Sequence, residues 1–172
     1  MNRLPVAAVA CVLVCSALAS APAWAQSAAI PGRTPASAGA VAVLPFENIS
    51  GQPQDEWLGA GIADTVLTDL ATRDAVVIGP AAMLTEARRD GTDLDGERNA
   101  IALSQRLGAA WLVTGGYQLL GDQLRITARV VDVRTGVAAS TVKVDGRLED
   151  LFTLQDRIVA ELARSAPLAG LT

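Results

Sequence analysis

Residues 111–132 read Trp-Leu-Val-Thr-Gly-Gly-Tyr-Gln-Leu-Leu-Gly-Asp-Gln-Leu-Arg-Ile-Thr-Ala-Arg-Val-Val-Asp. Two apolar and β-branched runs flank Gly121-Asp122, a two-residue hairpin turn, so residues 111–120 and 123–132 form antiparallel strands. Side chains alternate along a strand. In the second run this puts Leu124, Ile126, Ala128 and Val130 on one face, and Arg125, Thr127, Arg129 and Val131 on the other. The next four residues, Val133-Arg134-Thr135-Gly136, make a compact turn. Its simplest account is an Asp132 side chain that accepts from turn amides, with Gly136 left-handed. A third strand over 137–144 completes a meander.

Upstream, the period changes from two to about 3.6. Residues 55–71 carry Leu58, Ile62, Val66 and Leu70 at four-residue spacing, the single buried stripe of a helix. Short apolar runs at 40–44 and 75–78, closed by Pro45 and by Gly79-Pro80, read as strands buried on both faces. Strand, helix, strand in that order implies a right-handed parallel crossover. Helices over 81–89 and 97–107 follow, the latter capped by Gly108. Downstream, Leu151, Leu154, Ile158 and Leu162 mark a closing helix over 150–164. The predicted class is α/β with an α+β mixed sheet, in the order β-α-β-α-α-β-β-β-α. It has a carboxy-terminal antiparallel meander, and its helices pack mainly on one face.

The amino-terminal stretch sets the compartment. Arg3 precedes an almost uninterrupted apolar run to Ala19, and Ala23-Trp24-Ala25 offers small residues around a cut before Gln26. That is the layout of a cleaved secretory leader. The expected organisation is a signal peptide at 1–25, a flexible linker rich in Ser, Ala, Pro and Gly at 26–39, one domain at 40–166 and a tail at 167–172. Cleavage would leave 147 of the 172 residues, and loss of Arg3 would take the net charge from −4 to −5. No Lys or Arg cluster marks a phosphate-binding face, which argues against nucleic acid and anionic lipid as partners. No membrane span is expected after cleavage. Cys11 and Cys15 both lie in the leader. Neither suits lipid attachment well: Val14 is bulky, and Cys11 is close to the start.

The chain contains no histidine, and its processed part would contain no cysteine. The commonest general base, thiol nucleophile and zinc ligands are therefore missing. Asp90, Asp93, Asp95 and Glu97 crowd one loop but lack the spacing of a calcium-binding loop, so a solvated loop is the simpler reading. Gly59-Ala60-Gly61 sits inside a periodic helix without the Lys-Ser/Thr of a phosphate cradle, which favours close helix packing. Ser50, Ser104, Ser140 and Ser165 have no nucleophile-elbow context. Catalytic, cofactor and metal sites are all expected to be absent.

Several short motifs occur in a fixed order. Val43-Leu44-Pro45-Phe46-Glu47-Asn48-Ile49-Ser50-Gly51, Leu58-Gly59-Ala60-Gly61-Ile62-Ala63-Asp64 and Leu67-Thr68-Asp69-Leu70 come first. Val113-Thr114-Gly115-Gly116, Leu124-Arg125-Ile126-Thr127-Ala128 and Leu148-Glu149-Asp150-Leu151-Phe152 follow. Together they resemble the amino-terminal-domain-like module of TolB proteins, also seen in FlgO-type envelope proteins and beside bacterial cyclases and tetratricopeptide arrays. The resemblance covers about residues 40–163. It implies a mixed sheet with helices against one face, and a role in envelope interactions without a catalytic site. No β-propeller, repeat array or cyclase domain is expected within residues 1–172, so functions carried by those parts do not transfer.

The expected function is a non-enzymatic periplasmic interaction module, a scaffold or assembly part of the cell envelope with a flagellar or outer-membrane setting. The alternative is a periplasmic module that senses a small ligand or glycan. The candidate partner-binding residues are Arg125, Thr127 and Arg129, joined by Gln118, Thr114 and Gly116 from the preceding strand. Two guanidinium groups there would suit carboxylates of an envelope protein. A merely solvated sheet face is the competing reading. The leader yields the first test. Amino-terminal sequencing of the native protein is expected to start at Gln26 in material recovered outside the cytoplasm, and an intact Met1 on a cytoplasmic product would overturn the compartment.

Overall fold

A computed structural model describes residues 39–94 and 96–169. The expected leader, most of the linker, Asp95 and residues 170–172 lie outside the described residues. The elements are β1 (Val41–Val43), β2 (Glu47–Asn48), α1 (Trp57–Thr72), β3 (Val77–Ile78), α2 (Pro80–Asp90), α3 (Glu97–Arg106), β4 (Trp111–Leu120), β5 (Gln123–Asp132), β6 (Val137–Arg147), α4 (Leu151–Arg164) and α5 (Ala166–Ala169). Short 3-10 turns at Pro53–Asp55 and Leu148–Asp150 lead into α1 and α4.

The sheet is mixed, with the order β3-β1-β4-β5-β6 and β2 paired to β4. β1 runs parallel to both β3 and β4, while β4, β5 and β6 form the antiparallel meander. The predicted class holds, and so does the order of the expected elements, with β2 and α5 added to them. The chain moves from β1 to β3 through α1, then reverses past β1 to reach β4 through α2 and α3. With crossovers of constant hand, such a reversal puts the connecting helices on opposite faces. Leu58, Ile62, Val66 and Leu70 of α1, with Leu154, Ile158 and Leu162 of α4, cover one face in the main core. Met83 and Ala87 of α2, with Ala100 and Leu103 of α3, cover Ala42, Leu112 and Val131 on the other. The two longest helices thus share a face, and the two shorter ones shield only the parallel end of the second.

Three sequence expectations change in detail. Residues 47–48, between the expected strand at 40–44 and the expected helix at 55–71, form β2, two polar residues paired in parallel to Gly116 and Tyr117. Pro80 opens α2, where its missing N–H costs nothing, as well as closing the strand before it. β6 runs three residues past Val144, because Asp145, Gly146 and Arg147 continue the register opposite Arg125, Leu124 and Gln123. At the other end, Leu168 of α5 is buried in the main core.

The segment after Pro45 is wedged between α1 and β4. Phe46 is buried, and its N–H donates to the Gly59 carbonyl at 3.1 Å. A Cβ on Gly59 would collide with the Phe46 carbonyl oxygen. One on Gly115 would meet the Phe46 ring at 2.8 Å, and one on Gly116 would meet Ile49 Cδ1 at 2.6 Å. The wedge is pinned further along by Ile49 N–H to Tyr117 O at 3.0 Å and by Leu119 N–H to Ser50 Oγ at 2.5 Å. Tyr117 is fully buried and donates its hydroxyl to the Asp55 carbonyl at 2.6 Å. Burial raises its phenol pKa, and the nearby charges of Asp55 and Glu56 add to the shift.

The helix-packing reading of Gly59-Ala60-Gly61 therefore holds for Gly59. Gly61 is different, since the nearest atom to an added Cβ is Gln155 Nε2 at 3.8 Å. The two glycines should respond oppositely to alanine. Gly59→Ala is expected to lose about 1–3 kcal/mol through overpacking against backbone. Gly61→Ala is expected to gain up to about 1 kcal/mol from helix propensity. Urea denaturation midpoints check this, and shifts of the same sign would show that the wedge does not set the helix position.

Candidate partner-binding face

Beyond the cover of α2 and α3, the second face of β4, β5 and β6 is open and polar. Cross-strand register arranges its side chains in three rows. Thr114, Arg129 and Thr141 form one; Gly116, Thr127 and Lys143 the next; Gln118, Arg125 and Asp145 the third. Directly opposed residues on antiparallel strands project to the same side, so each row is a set of neighbours. All the residues singled out in the sequence meet here except Val131. That residue lies on the expected side but is fully buried, because α2 and α3 cover this end of β5.

The rim comes from elements that strand alternation does not reveal. Glu47 and Ile49 border the rows beside β4, with Ile49 lying over Gly116. Glu97, at the start of α3, closes the end nearest the covered region. A hollow of about 250 Å³ is lined by Glu47, Ile49, Thr114, Gln118, Arg125, Thr127 and Arg129, together with backbone of Gly115 and Gly116. A second hollow of about 420 Å³ shares Glu47, Thr114 and Arg129 with it and extends to Leu94 and Gly96.

The electrostatics correct one expectation. The two guanidinium groups do not wait for carboxylates from elsewhere, since each already holds one. Arg125 Nε donates to Asp145 Oδ1 at 2.6 Å and its Nη2 to Oδ2 at 3.3 Å, a forked pair across β5 and β6. Arg129 Nη2 donates to Glu97 Oε2 at 2.6 Å. Lys143 Nζ lies 3.8 Å from Asp145 Oδ2. Three cations thus face the three carboxylates Glu47, Glu97 and Asp145, and the surface is charge-compensated. The Arg125 hydrogen bond, followed by its charge, holds the Asp145 carboxyl below its ordinary range, and Lys143 adds to the effect. The same pairing raises the Arg125 pKa.

Three of the acidic loop's carboxylates have partners among the described residues. Asp90 pairs with Arg106 at 2.9 Å and accepts from Thr92 Oγ1 at 2.9 Å. Asp93 accepts from Asn99 Nδ2 at 2.8 Å, and Glu97 is the partner of Arg129. Among the described residues, no group of three or more His, Cys, Asp or Glu is placed to hold a metal ion. The Asp132 turn follows the expected scheme, with Oδ1 accepting from the Arg134 and Thr135 amides at 2.8 and 3.0 Å, and Gly136 at φ +70°. Among the described residues, no helix is long and apolar enough to cross a membrane.

No family model matches the chain. A Rhizobium meliloti (strain 1021) protein named "Putative adenylate cyclase 3" is 28% identical over 126 residues, covering 73% of this chain. The chain spans only 20% of that protein's length. Among solved structures, the LpoB C-terminal domain from Escherichia coli superposes with a TM-score of 0.55 at 14% identity, over 64% of this chain and 84% of that one. Lipoprotein GNA1162 from Neisseria meningitidis does so with a TM-score of 0.54 at 20% identity, over 74% of this chain and 99% of that one. TolB from Acinetobacter baumannii reaches 0.48 at 16% identity, over 78% of this chain and 29% of its own, too low a score to carry an argument. At these identities the likeness to LpoB and GNA1162 is one of fold. The FlgO resemblance rests on the sequence motifs alone.

The Arg125–Asp145 pair supplies a pH test. A carboxyl whose folded pKa is depressed contributes stability above its unfolded pKa, and that contribution is lost as pH falls through the folded pKa. Carbon-detected NMR titration is expected to place the Asp145 midpoint below that of an ordinary aspartate, and Arg125→Ser to move it upward. An unshifted midpoint in the parent protein would mean that the fork does not persist in solution.

Proposed function

We propose that the processed chain is a protein-interaction module of the bacterial cell envelope, acting from the periplasmic side as a scaffold or assembly part. It docks a partner through the open face of β4, β5 and β6. One observation carries this reading: eight polar or charged side chains from three strands stand in register on a sheet face that the helices leave uncovered. An antiparallel sheet tolerates one solvated face. This one differs from a plain solvated surface in having walls, built by the β2 segment and the start of α3 around two adjoining hollows.

The compartment is supported by the leader and by the fold shared with a meningococcal lipoprotein. A flagellar or outer-membrane setting follows from the motif resemblance. The relative named as a cyclase fits the same picture, because the match occupies a fifth of that protein. A module carried beside other parts would match in this way. Its catalytic activity is not transferred here. The second reading, a small polar ligand or glycan, is favoured by the 250 Å³ hollow with its Thr114, Gln118 and Thr127 lining.

A comparative pull-down separates the two. The processed protein and its Arg125→Ser/Arg129→Ser variant are matched for circular dichroism and melting, then exposed to envelope extract. Selective loss of partners by the variant, about tenfold or more, is expected when two hydrogen-bonded charges leave an interface. Unchanged recovery of the same partners would sink the docking face. A small molecule retained in native mass spectrometry by the parent protein, and absent from the variant, would establish the second reading instead.

A further inference from the structure

β6 is the outermost strand on the meander side, and its one neighbour in the sheet is β5. Alternate backbone N–H and C=O groups of an edge strand point away from the sheet and form a template for another strand; on β6 the Asp145 carbonyl accepts a long bond from Arg157 Nη1 of α4 at 3.5 Å, which a pairing strand would replace. With 11 residues β6 is the longest strand, whereas the opposite edge, β3, has two. The regular part of β6 has sharp limits. Its register with β5 slips between Val130 and Val131, which leaves Ala139 without a cross-strand partner. At Leu148 the chain enters a 3-10 turn. Between these limits, residues 140–147 keep unbroken register with β5.

We propose that this stretch pairs antiparallel with the same stretch of a second copy, about a two-fold axis at Val144, so that two sheets become one. A symmetric antiparallel pair is defined by the residue on its axis, because facing positions lie equally far on either side of it. With Val144 on the axis, Lys143 faces Asp145 of the second copy and Asp145 faces Lys143, two opposite-charge pairs in one short ladder. Thr141 faces Arg147, and the whole overlap falls within the regular stretch. An axis at Val142 gives no opposite-charge pair and sets Asp145 against the bulged Ala139. An axis at Gly146 opposes Asp145 and Arg147 but leaves three residues of overlap before the turn.

Charged side chains on an edge commonly discourage strand addition. Here a cation and an anion alternate on one face of the edge, 3.8 Å apart, so they disfavour other registers and accept this one. The ladder uses backbone groups at the side of the sheet, while its charge pairs use Lys143 and Asp145, which also stand at the β6 border of the open face. A ladder this short makes a weak interface, formed and lost with concentration.

Sedimentation of the processed protein from micromolar to millimolar concentration is expected to show a monomer–dimer equilibrium. Backbone amides in residues 141–147 should exchange at least about tenfold more slowly as dimer forms. Lys143→Glu sets like charges opposite each other twice and should raise the dimer dissociation constant by about tenfold or more; Asp145→Lys should do the same. Mixing the two variants restores both charge pairs, so a heterodimer should form where neither variant pairs with itself. A monomer at every concentration would overturn the proposal. So would an oligomer indifferent to Lys143→Glu, or a mixture of folded variants that stays monomeric.

Discussion

The contact between the Phe46 backbone and Gly59 sets how closely α1 can lie against the sheet, and much of the molecule is arranged around it. An N–H to carbonyl bond of 3.1 Å joins the two residues, in a space where any side chain on Gly59 would strike the Phe46 carbonyl. The Phe46 ring then occupies the volume over Gly115, and Ile49 occupies that over Gly116 on the opposite side of β4. The segment's passage between helix and strand asks for glycine at Gly59 and Gly116, while at Gly115 the Thr127 carbonyl oxygen of β5 crowds the same space as the Phe46 ring. The wedge also turns the chain so that Glu47 and Ile49 emerge at the border of the open face. A packing constraint thereby builds one wall of the candidate site.

The position of that face follows from the two halves of the sheet. Parallel strands are joined by helical crossovers and end up covered on both sides, whereas a hairpin meander needs cover on only one. α2 and α3 belong to the parallel half and shield β1 with the adjoining ends of β4 and β5. Where their cover ends, the polar rows begin. Val131 and Arg129 mark the boundary within one strand, two residues apart on the same side, one fully buried and the other exposed.

Legibility in the sequence varied with the range of the interaction. The limits of β4 and β5 were readable to the residue, because period-two alternation and the Gly121-Asp122 turn are local signals. The clustering of Gln118, Arg125, Thr127 and Arg129 followed from the same alternation. β2 was not readable: Glu47 and Asn48 carry no strand pattern, and only the wedge brings them beside Gly116 and Tyr117. The ion pairs were hidden for a similar reason, since Asp145 is 20 residues from Arg125 and Glu97 is 32 from Arg129. The alternation of Lys143 and Asp145 along β6 was a signal that could have revealed the first pair. Nothing local pointed to Glu97.

Those pairs change what the face can recognise. An array of free guanidinium groups would attract any anion, with long-range steering and little discrimination. A compensated surface attracts little from a distance. To bind there, a partner must cover Arg125 with Asp145 and Arg129 with Glu97, and removing such pairs from water costs energy unless the new surface supplies both donors and acceptors in matching places. On the proposed docking reading, rejection of ill-matched partners would be built into the pairing itself, as an unpaired buried charge. The half-exposed Ile49 at the rim offers the apolar contribution that the charged rows lack. Affinity on this face would come from shape and apolar contact at the wall, and specificity from the paired charges on its floor.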